Sequence, residues 1–265
     1  MRLDLYLYRN GFCKSRSIAQ TYIESAAVSL NGKTDLKSSI DVGENDTAEI
    51  LFNPLKYVSR GGLKLEKAIS YFNISVKNLI CADIGASTGG FSDCLLQNGA
   101  SKVYAIDSGS GQLDPKIAND SRVVNMEKTN FRNVDNKELI GSCDFAVCDV
   151  SFISLKNIAG SVAQILKDGC GAVFLIKPQF EAGKQKVGKN GIVRDKSVHI
   201  SVICDLISFF ETFGLTAQDL TFSPICGQKG NIEYLLYLKK SNADGKVKQS
   251  EIENTVNNAF LTLKR

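Results

Sequence analysis

The chain has 265 residues, and its 32 lysines and arginines against 28 aspartates and glutamates give a formal net charge of +4. With 43% hydrophobic and 23% charged residues it has the composition of a globular protein, which excludes a disordered, collagen-like or coiled-coil chain. His199 is the single histidine, so zinc-protease and facial-triad iron sites are excluded and we expect no metal. The eight cysteines include no pair with CxxC spacing, and we expect all of them to be reduced.

Residues 1–53 predict a small α+β domain. Ser15 is a suitable N-cap for a helix that places the apolar residues of segment 18–23 on one face. The pair Asn31-Gly32 favours a tight hairpin turn, and segment 47–52 is typical of a strand.

After a predicted linker at 54–60, residues 61–240 predict an α/β domain in which apolar strands alternate with amphipathic helices. The predicted strands are 79–84, 102–106, 122–125, 144–148 and 172–176, and the clearest helices are 154–166 and 198–213. This alternation indicates a mostly parallel sheet with helices on both faces. Segments 216–223 and 232–238 predict an antiparallel pair at the sheet edge, and we expect the polar tail 241–265 to end in a loosely docked helix.

A glycine-rich turn, DIGASTGGF at residues 83–91, stands where the first long strand ends and a helix begins. A mononucleotide-like ligand would lie across the start of that helix, and Asp107 is placed to accept from a ribose hydroxyl. Because Ser87 replaces a glycine of the dinucleotide fingerprint, S-adenosylmethionine is favoured over a nicotinamide cofactor. The predicted cofactor-binding residues are Asp83, Gly85, Ala86, Ser87, Thr88, Gly89, Gly90, Phe91, Asp107, Glu127 and Asp149.

Four charged residues form a second candidate constellation. Asp149 and Lys177 each follow a predicted buried strand, so both face the rim where ligands bind in open α/β sheets. Lys64 starts a helix, and Glu233 lies within the last predicted strand, where an isolated carboxylate is costly unless paired. From composition alone, unrelated surface charges are an equally good interpretation.

Four motifs together resemble the TlyA family, often labelled haemolysin A. They are YVSRGGLKL at 57–65, DIGASTGGF at 83–91, CDVSFISL at 148–155 and IKPQFE at 176–181. The resemblance implies a Rossmann-like S-adenosylmethionine-dependent methyltransferase fold of the FtsJ type, preceded by an RNA-binding domain similar to that of ribosomal protein S-four. It also implies S-adenosylmethionine as cofactor, ribosomal RNA within ribosomal subunits as partner, and the 2′-hydroxyl of a cytidine as methyl acceptor. A chain that starts at Arg2 looks like the shorter members, which act on the large subunit.

The resemblance also assigns roles to the four charged residues. In FtsJ-like enzymes a Lys-Asp-Lys-Glu set surrounds the target hydroxyl, and the matching residues here are Lys64, Asp149, Lys177 and Glu233. Lys177 is the candidate base, for which an ordinary lysine pKa of about 10.4 would have to fall toward 7 or 8, at a cost of about 4 kcal/mol. Asp149 and Glu233 would oppose this change, so we expect them to orient the lysine and the hydroxyl.

The basic residues are predicted to bind RNA locally. The resemblance of residues 2–32 to the S-four domain implies a basic helix start that faces RNA, with Ala26 replacing the usual glycine and shifting the turn slightly. Segment 182–196 carries five basic residues, one acidic residue and three glycines. It is either a lid that orders on RNA phosphates or an ordinary solvated loop. The predicted RNA-binding residues are Arg2, Arg9, Lys14, Arg16, Arg60, Lys184, Lys186, Lys189 and Arg194.

Two other functions remain open at this level. The family label implies a membrane-active haemolysin, but the sequence has neither an apolar run of membrane-spanning length nor an apolar N-terminal leader, so we expect a cytoplasmic protein that binds no membrane. A non-catalytic RNA-binding factor of ribosome assembly is the other alternative. His199 is expected to be a structural residue, and the oligomeric state is left open.

Overall fold

The computed structural model describes residues 1–51, 56–132, 137–227, 230–241, 243 and 245–263. The chain divides into two compact units, Met1–Lys56 and Tyr57–Arg265. The expected end of the first domain, at residue 53, lies outside the described residues.

The first unit contains two helices and one antiparallel strand pair. Its elements are α1 (Leu3–Arg9), α2 (Arg16–Glu24), β1 (Val28–Leu30) and β2 (Ala48–Ile50), and they share one apolar core. Ser15 caps α2 as predicted, because its side chain accepts a hydrogen bond from the Ile18 N–H at 3.3 Å. The predicted tight turn is also confirmed, since Asn31 and Gly32 both have positive φ and the flanking residues exchange two backbone hydrogen bonds.

The end of α2 corrects the expectation for Ala26. The Ala26 N–H donates to the Ile23 carbonyl at 3.0 Å, and the Ala27 N–H donates to the Tyr22 carbonyl at 2.9 Å. These two bonds form the usual glycine-dependent helix end, and Ala26 adopts the left-handed conformation with a φ of 54°. The turn is therefore not shifted. The alanine side chain bears a steric cost of about 1–2 kcal/mol instead, offset by two satisfied carbonyls.

The second unit is a seven-stranded sheet with helices on both faces. Its strands are β3 (Ile80–Ile84), β4 (Lys102–Ile106), β5 (Val123–Met126), β6 (Cys143–Cys148), β7 (Leu166–Ile176), β8 (Leu215–Phe222) and β9 (Tyr234–Lys240). Its helices are α3 (Gly61–Tyr71), α4 (Gly90–Gln97), α5 (Pro115–Ala118), α6 (Lys156–Ile165), α7 (Pro178–Glu181), α8 (Lys196–Glu211) and α9 (Gln249–Leu263). The strand order is β5-β4-β3-β6-β7-β9-β8. Strands β3 to β7 are parallel, and β9 pairs antiparallel with both β7 and β8, which confirms the predicted fold class.

The C-terminal helix is more firmly docked than expected. Helix α9 buries Ile252, Val256, Ala259 and Phe260, and these residues belong to the main core of the unit. Their spacing of four, three and one residues places them on one helix face, although the polar residues between them conceal the pattern. The segment expected to be a polar tail thus closes one side of the core.

From Tyr57 onward, the predicted linker is also part of the second unit. Tyr57 is 4% exposed and lies in the core cluster that contains α3 and α4. The Val58 N–H donates to the Asp93 carboxylate on α4 at 2.8 Å. Because α3 follows directly, this contact sets where α3 begins.

The strand order determines which side chains meet at the carboxyl edge of the sheet. Strands β3 and β6 are neighbours, so the turn after β3 lies beside Asp149, which follows β6. A Cβ at Gly85 would come within 2.5 Å of the Asp149 carbonyl, so only glycine allows this approach. Glu233 precedes β9 rather than lying inside it, and the pairing of Tyr234 with Ile176 brings it to the same edge as Lys177.

Candidate active site

The four charged residues predicted from the sequence are brought together at this edge. Lys177 Nζ lies 2.5 Å from Asp149 Oδ1, and Lys64 Nζ lies 2.6 Å from Glu233 Oε2. A distance of 4.0 Å between Lys64 Nζ and Asp149 Oδ2 links the two pairs. The charges therefore alternate in the order Lys177, Asp149, Lys64, Glu233. Unrelated surface charges do not describe this arrangement, because Lys177 is 8% and Glu233 is 2% exposed.

Two residues beside Lys177 escaped the sequence analysis. The Lys177 ammonium donates a hydrogen bond to Ser151 Oγ at 2.7 Å, and Ser151 itself is exposed. Phe152 is 88% exposed, and its ring centroid lies 5.1 Å from that of Phe180. The φ of Phe152 is 65°, which is unfavourable for a bulky side chain, so contacts on either side must hold it. Both residues belong to the CDVSFISL motif, and this membership was the sequence signal that could have identified them as site residues.

Glu181 fixes the loop that carries these residues. Its carboxylate accepts hydrogen bonds from the Ser154 hydroxyl at 2.6 Å and from the Leu155 N–H at 2.8 Å. Burial raises the pKa of Glu181, and the two hydrogen bonds oppose that change. The segment after β7 is thereby joined to the loop after β6, so that Lys177 and Ser151 are held from both sides.

The glycine-rich turn has the chemistry to receive a cationic ligand. Asp83 is fully buried, with one oxygen accepting from the Ser92 hydroxyl at 2.6 Å. Its other oxygen, Oδ1, has no hydrogen-bond partner among the described residues, and burial raises the pKa of Asp83 to about 7. Ser87 and Thr88 are exposed at the rim, whereas Gly89 has a φ of 89° and immediately precedes α4. The orphaned acidic oxygen fits the positively charged ammonium group of S-adenosylmethionine, whereas the start of α4 favours its carboxylate.

Several predicted cofactor residues shape the turn through backbone contacts. Asp107 accepts from the Ser87 N–H at 2.8 Å and from the Gly109 N–H at 2.7 Å. Glu127 accepts from the Gln112 N–H at 2.9 Å, and backbone donors of this loop lower its pKa. Both carboxylates therefore hold the two loops at the carboxyl ends of β3 and β4.

Other predicted cofactor residues serve in packing. Phe91 is 3% exposed within the core, and Ala86 is buried. A Cβ at Gly90 would lie only 2.2 Å from Ser59 Oγ, which is closer than van der Waals contact. Glycine at this position therefore allows the segment before α3 to approach α4 closely. These residues form the floor of the turn, while Ser87 and Thr88 form its exposed part.

In the first unit, a buried carboxylate organises two of the predicted RNA-binding arginines. Arg16 lies 2.8 Å and Arg2 lies 3.2 Å from the carboxylate of Asp4, to which Gln20 also donates at 2.9 Å. Burial would raise the pKa of Asp4, but the hydrogen bonds from these three residues outweigh it and hold the pKa below its ordinary value. The arginine side chains remain about half exposed, at 48% and 49%, so they hold the helices together and still face solvent. Sequence reasoning missed Asp4.

The remaining predicted RNA-binding residues are exposed, except that Arg60 is half-buried at the start of α3. The exposed ones are Arg9, Lys14, Lys184, Lys186, Lys189 and Arg194.

The second half of the basic segment 182–196 is anchored by hydrogen bonds. The segment is therefore not a lid that is free of contacts along its whole length. Asn231 accepts from the Val193 N–H at 3.1 Å and donates to the Gly191 carbonyl at 2.8 Å. His199 is fully buried, with Nε2 3.1 Å from the Val193 carbonyl and Nδ1 2.9 Å from the Tyr234 hydroxyl. The carbonyl can only accept, so Nε2 carries a proton, and in the neutral imidazole Nδ1 accepts from the Tyr234 hydroxyl. His199 is thus a structural residue, as expected.

The comparisons with known proteins agree with this geometry. The FtsJ-like methyltransferase family matches residues 57–240, and the S4 domain family matches residues 1–47. The chain belongs to the TlyA family of FtsJ-like methyltransferases. It is 45% identical to YqxC of Bacillus subtilis, over 99% of this chain and 95% of that protein. It is 34% identical to the 16S/23S rRNA (cytidine-2′-O)-methyltransferase TlyA of Mycobacterium tuberculosis, over 98% of this chain and 97% of that protein.

A solved structure from Streptococcus thermophilus that carries a hemolysin label is similar as well. It is 42% identical, with a TM-score of 0.79, and the match covers 100% of this chain and 97% of that one. This TlyA-family chain is accordingly an S-adenosylmethionine-dependent methyltransferase with an S4-type RNA-binding domain. Within the described part of the chain, no helix has the length and apolar character needed to cross a membrane.

Proposed function

We propose that this chain transfers a methyl group from S-adenosylmethionine to the 2′-hydroxyl of a cytidine in ribosomal RNA, with Lys177 as the base. The observation that carries the proposal is the alternating row Lys177, Asp149, Lys64 and Glu233 at the carboxyl edge of the sheet. The M. tuberculosis relative is named for transfer to a cytidine 2′-oxygen, and it supports the same acceptor here.

The site supplies positioning and one proton acceptor. When bound, S-adenosylmethionine supplies a methyl group on a positively charged sulfur that leaves as a neutral thioether, so no general acid is required. The 2′-hydroxyl proton moves to Lys177 Nζ as the oxygen bonds to the methyl carbon. Asp149 holds the resulting ammonium, and the neighbouring Lys64–Glu233 pair keeps the row neutral overall. Alignment of the reacting atoms would supply much of the rate.

Residues of the glycine-rich turn would hold the cofactor. Asp83 Oδ1, which is buried and unpaired among the described residues, suits an ammonium group of the methionine part. Asp107 already accepts two backbone N–H groups, and its remaining lone pairs suit ribose hydroxyls. Asp149 stands between this turn and Lys177, so it would contact both the cofactor and the base.

RNA would be bound by exposed basic and aromatic side chains. In the first unit these are Arg2, Arg9, Lys14 and Arg16, and in the second they are Lys184, Lys186, Lys189 and Arg194, together with the half-buried Arg60. Such contacts to phosphates are sequence-independent and weaken with salt. Phe152, with 88% of its surface exposed beside Lys177, offers a face on which an unstacked base can lie. We favour the large ribosomal subunit in the cytoplasm as the substrate, with the small subunit as a second acceptor.

Methylation mapping tests this proposal. Ribosomal RNA from cells that lack the gene would be compared with RNA from cells complemented with the wild type, Lys177→Ala or Lys137→Ala. A 2′-O-methyl cytidine should appear with the wild type and with Lys137→Ala, an exposed lysine remote in sequence from the motifs, and disappear with Lys177→Ala. In vitro, purified large and small subunits with labelled cofactor identify the substrate. Full methyl transfer by Lys177→Ala would show that Lys177 is not the base. The same rRNA methylation pattern with and without the gene would refute the proposed function.

A further inference from the structure

Lys177 has two partners that differ in charge. Its ammonium lies 2.5 Å from the Asp149 carboxylate and donates to the Ser151 hydroxyl at 2.7 Å. A protonated lysine has three N–H directions: one donates to Ser151, and the ion pair with Asp149 occupies a second side of the ammonium without a hydrogen bond to Asp149 Oδ1. One direction is left for a substrate.

Loss of the proton would leave both contacts possible. A neutral lysine amine keeps two N–H groups, which suffice for Asp149 and Ser151, and its lone pair then points in the third direction. From this arrangement we infer that Ser151 is a positioning residue of the methyl-transfer reaction, which aims the Lys177 lone pair at the target hydroxyl. The inference rests on the proposed function of Lys177.

A hydroxyl suits the positioning of Lys177 better than a second carboxylate would. Asp149 orients Lys177 but also favours its protonated form, which opposes proton acceptance. Ser151 is neutral, so it orients the amine with far less preference for the charged form. The other charged groups that the described residues place near this edge are Lys64, Glu233, Glu181, Asp83 and Asp107. Glu233 and Glu181 are already engaged by Lys64 and by the loop after β6, respectively.

The loop that carries Ser151 is held in place at both ends. Asp149 follows β6 and donates its backbone N–H to the Ile84 carbonyl at 3.0 Å. At the other end, Ser154 and Leu155 both donate to Glu181, which lies four residues after Lys177. A hydroxyl fixed in this way restricts Lys177 without requiring the substrate to be present.

Single-turnover methyl transfer to purified ribosomal subunits tests the inference. The variants are Ser151→Ala, Ser151→Thr and Ser151→Asp, and Ser70→Ala, an exposed serine at the far end of α3, is the matched control. Ser151→Ala should lower the rate at saturating cofactor and RNA by about tenfold, as expected for one lost orienting hydrogen bond. Ser151→Thr retains the hydroxyl and should restore the rate to within about threefold of the wild type.

The pH dependence separates positioning from a merely structural role. Because a second carboxylate favours the protonated ammonium, Ser151→Asp should move the midpoint of the rate increase with pH upward by about one unit. Melting temperature and cofactor affinity of Ser151→Ala should equal those of Ser70→Ala.

Three results would overturn the inference: full activity of Ser151→Ala, no rescue by Ser151→Thr, or an unchanged midpoint in Ser151→Asp. A wild-type chain that methylates neither ribosomal subunit would instead refute the proposed function.

Discussion

The buried Lys64–Glu233 pair provides a quantitative test of the site's electrostatics. The side chains are 12% and 3% exposed, and their charged atoms are 2.6 Å apart. Lys64→Met removes the cation and leaves the Glu233 carboxylate buried without its partner, which should destabilise the second unit by about 3–5 kcal/mol. Glu233→Gln should destabilise it less, because the amide oxygen still accepts from Lys64 and Asp149 remains 4.0 Å away.

The double variant Lys64→Met/Glu233→Gln decides between coupling and independent effects. It removes both charges, so its free energy of unfolding should exceed that of Lys64→Met alone, with a coupling energy of about 2 kcal/mol. Urea unfolding followed by far-ultraviolet circular dichroism is the suitable assay, because the chain has no tryptophan. Lys137→Met, at an exposed position, is the control and should change stability by less than about 0.5 kcal/mol. Losses that simply add in the double variant would show that the pair is not coupled.

Three further predictions concern other parts of the chain. Ala26→Gly should stabilise the first unit by about 1 kcal/mol in thermal unfolding, because glycine adopts the left-handed conformation without a Cβ clash; no gain would refute this account of the helix end. The pKa of Asp4 is lower in the folded state than in the unfolded state, so its contribution to stability is present above pH about 4 and is lost as the pH falls further. In unfolding titrations at different pH values, the stability of Asp4→Asn should therefore fall less steeply below pH about 4 than that of the wild type. Asn231→Ala should speed amide hydrogen exchange at Val193 by about tenfold, and unchanged exchange would mean that the amide clamp does not hold the basic segment.

Local features of this protein follow from neighbouring residues and were predictable. The Ser15 cap and the Asn31-Gly32 turn depend on a few residues each, and both form as predicted. Asp149 and Lys177 follow buried strands, and the carboxyl ends of parallel strands meet at one edge of a sheet. Their proximity therefore required only the correct identification of two strands.

Other features depend on contacts between segments that are distant in the sequence. Glu233 reaches the site from the opposite chain direction, because β9 inserts antiparallel between β7 and β8 with Tyr234 opposite Ile176. The alternative interpretation of unrelated surface charges could be discarded only when this strand order and the burial of Glu233 were known. Strand order is set by packing of whole elements, which residue spacing does not encode.

The sequence by itself thus determined most strands of the sheet, the glycine-rich turn and the residue types of the site. The tertiary structure decided how those residues are used: the Ser151 contact to Lys177, the Asp4 centre of the first unit and the docking of α9. The physical reason is common to all three. A polar or charged side chain acquires its energetic role from the partner it meets and from the water it loses, and both are properties of the folded chain.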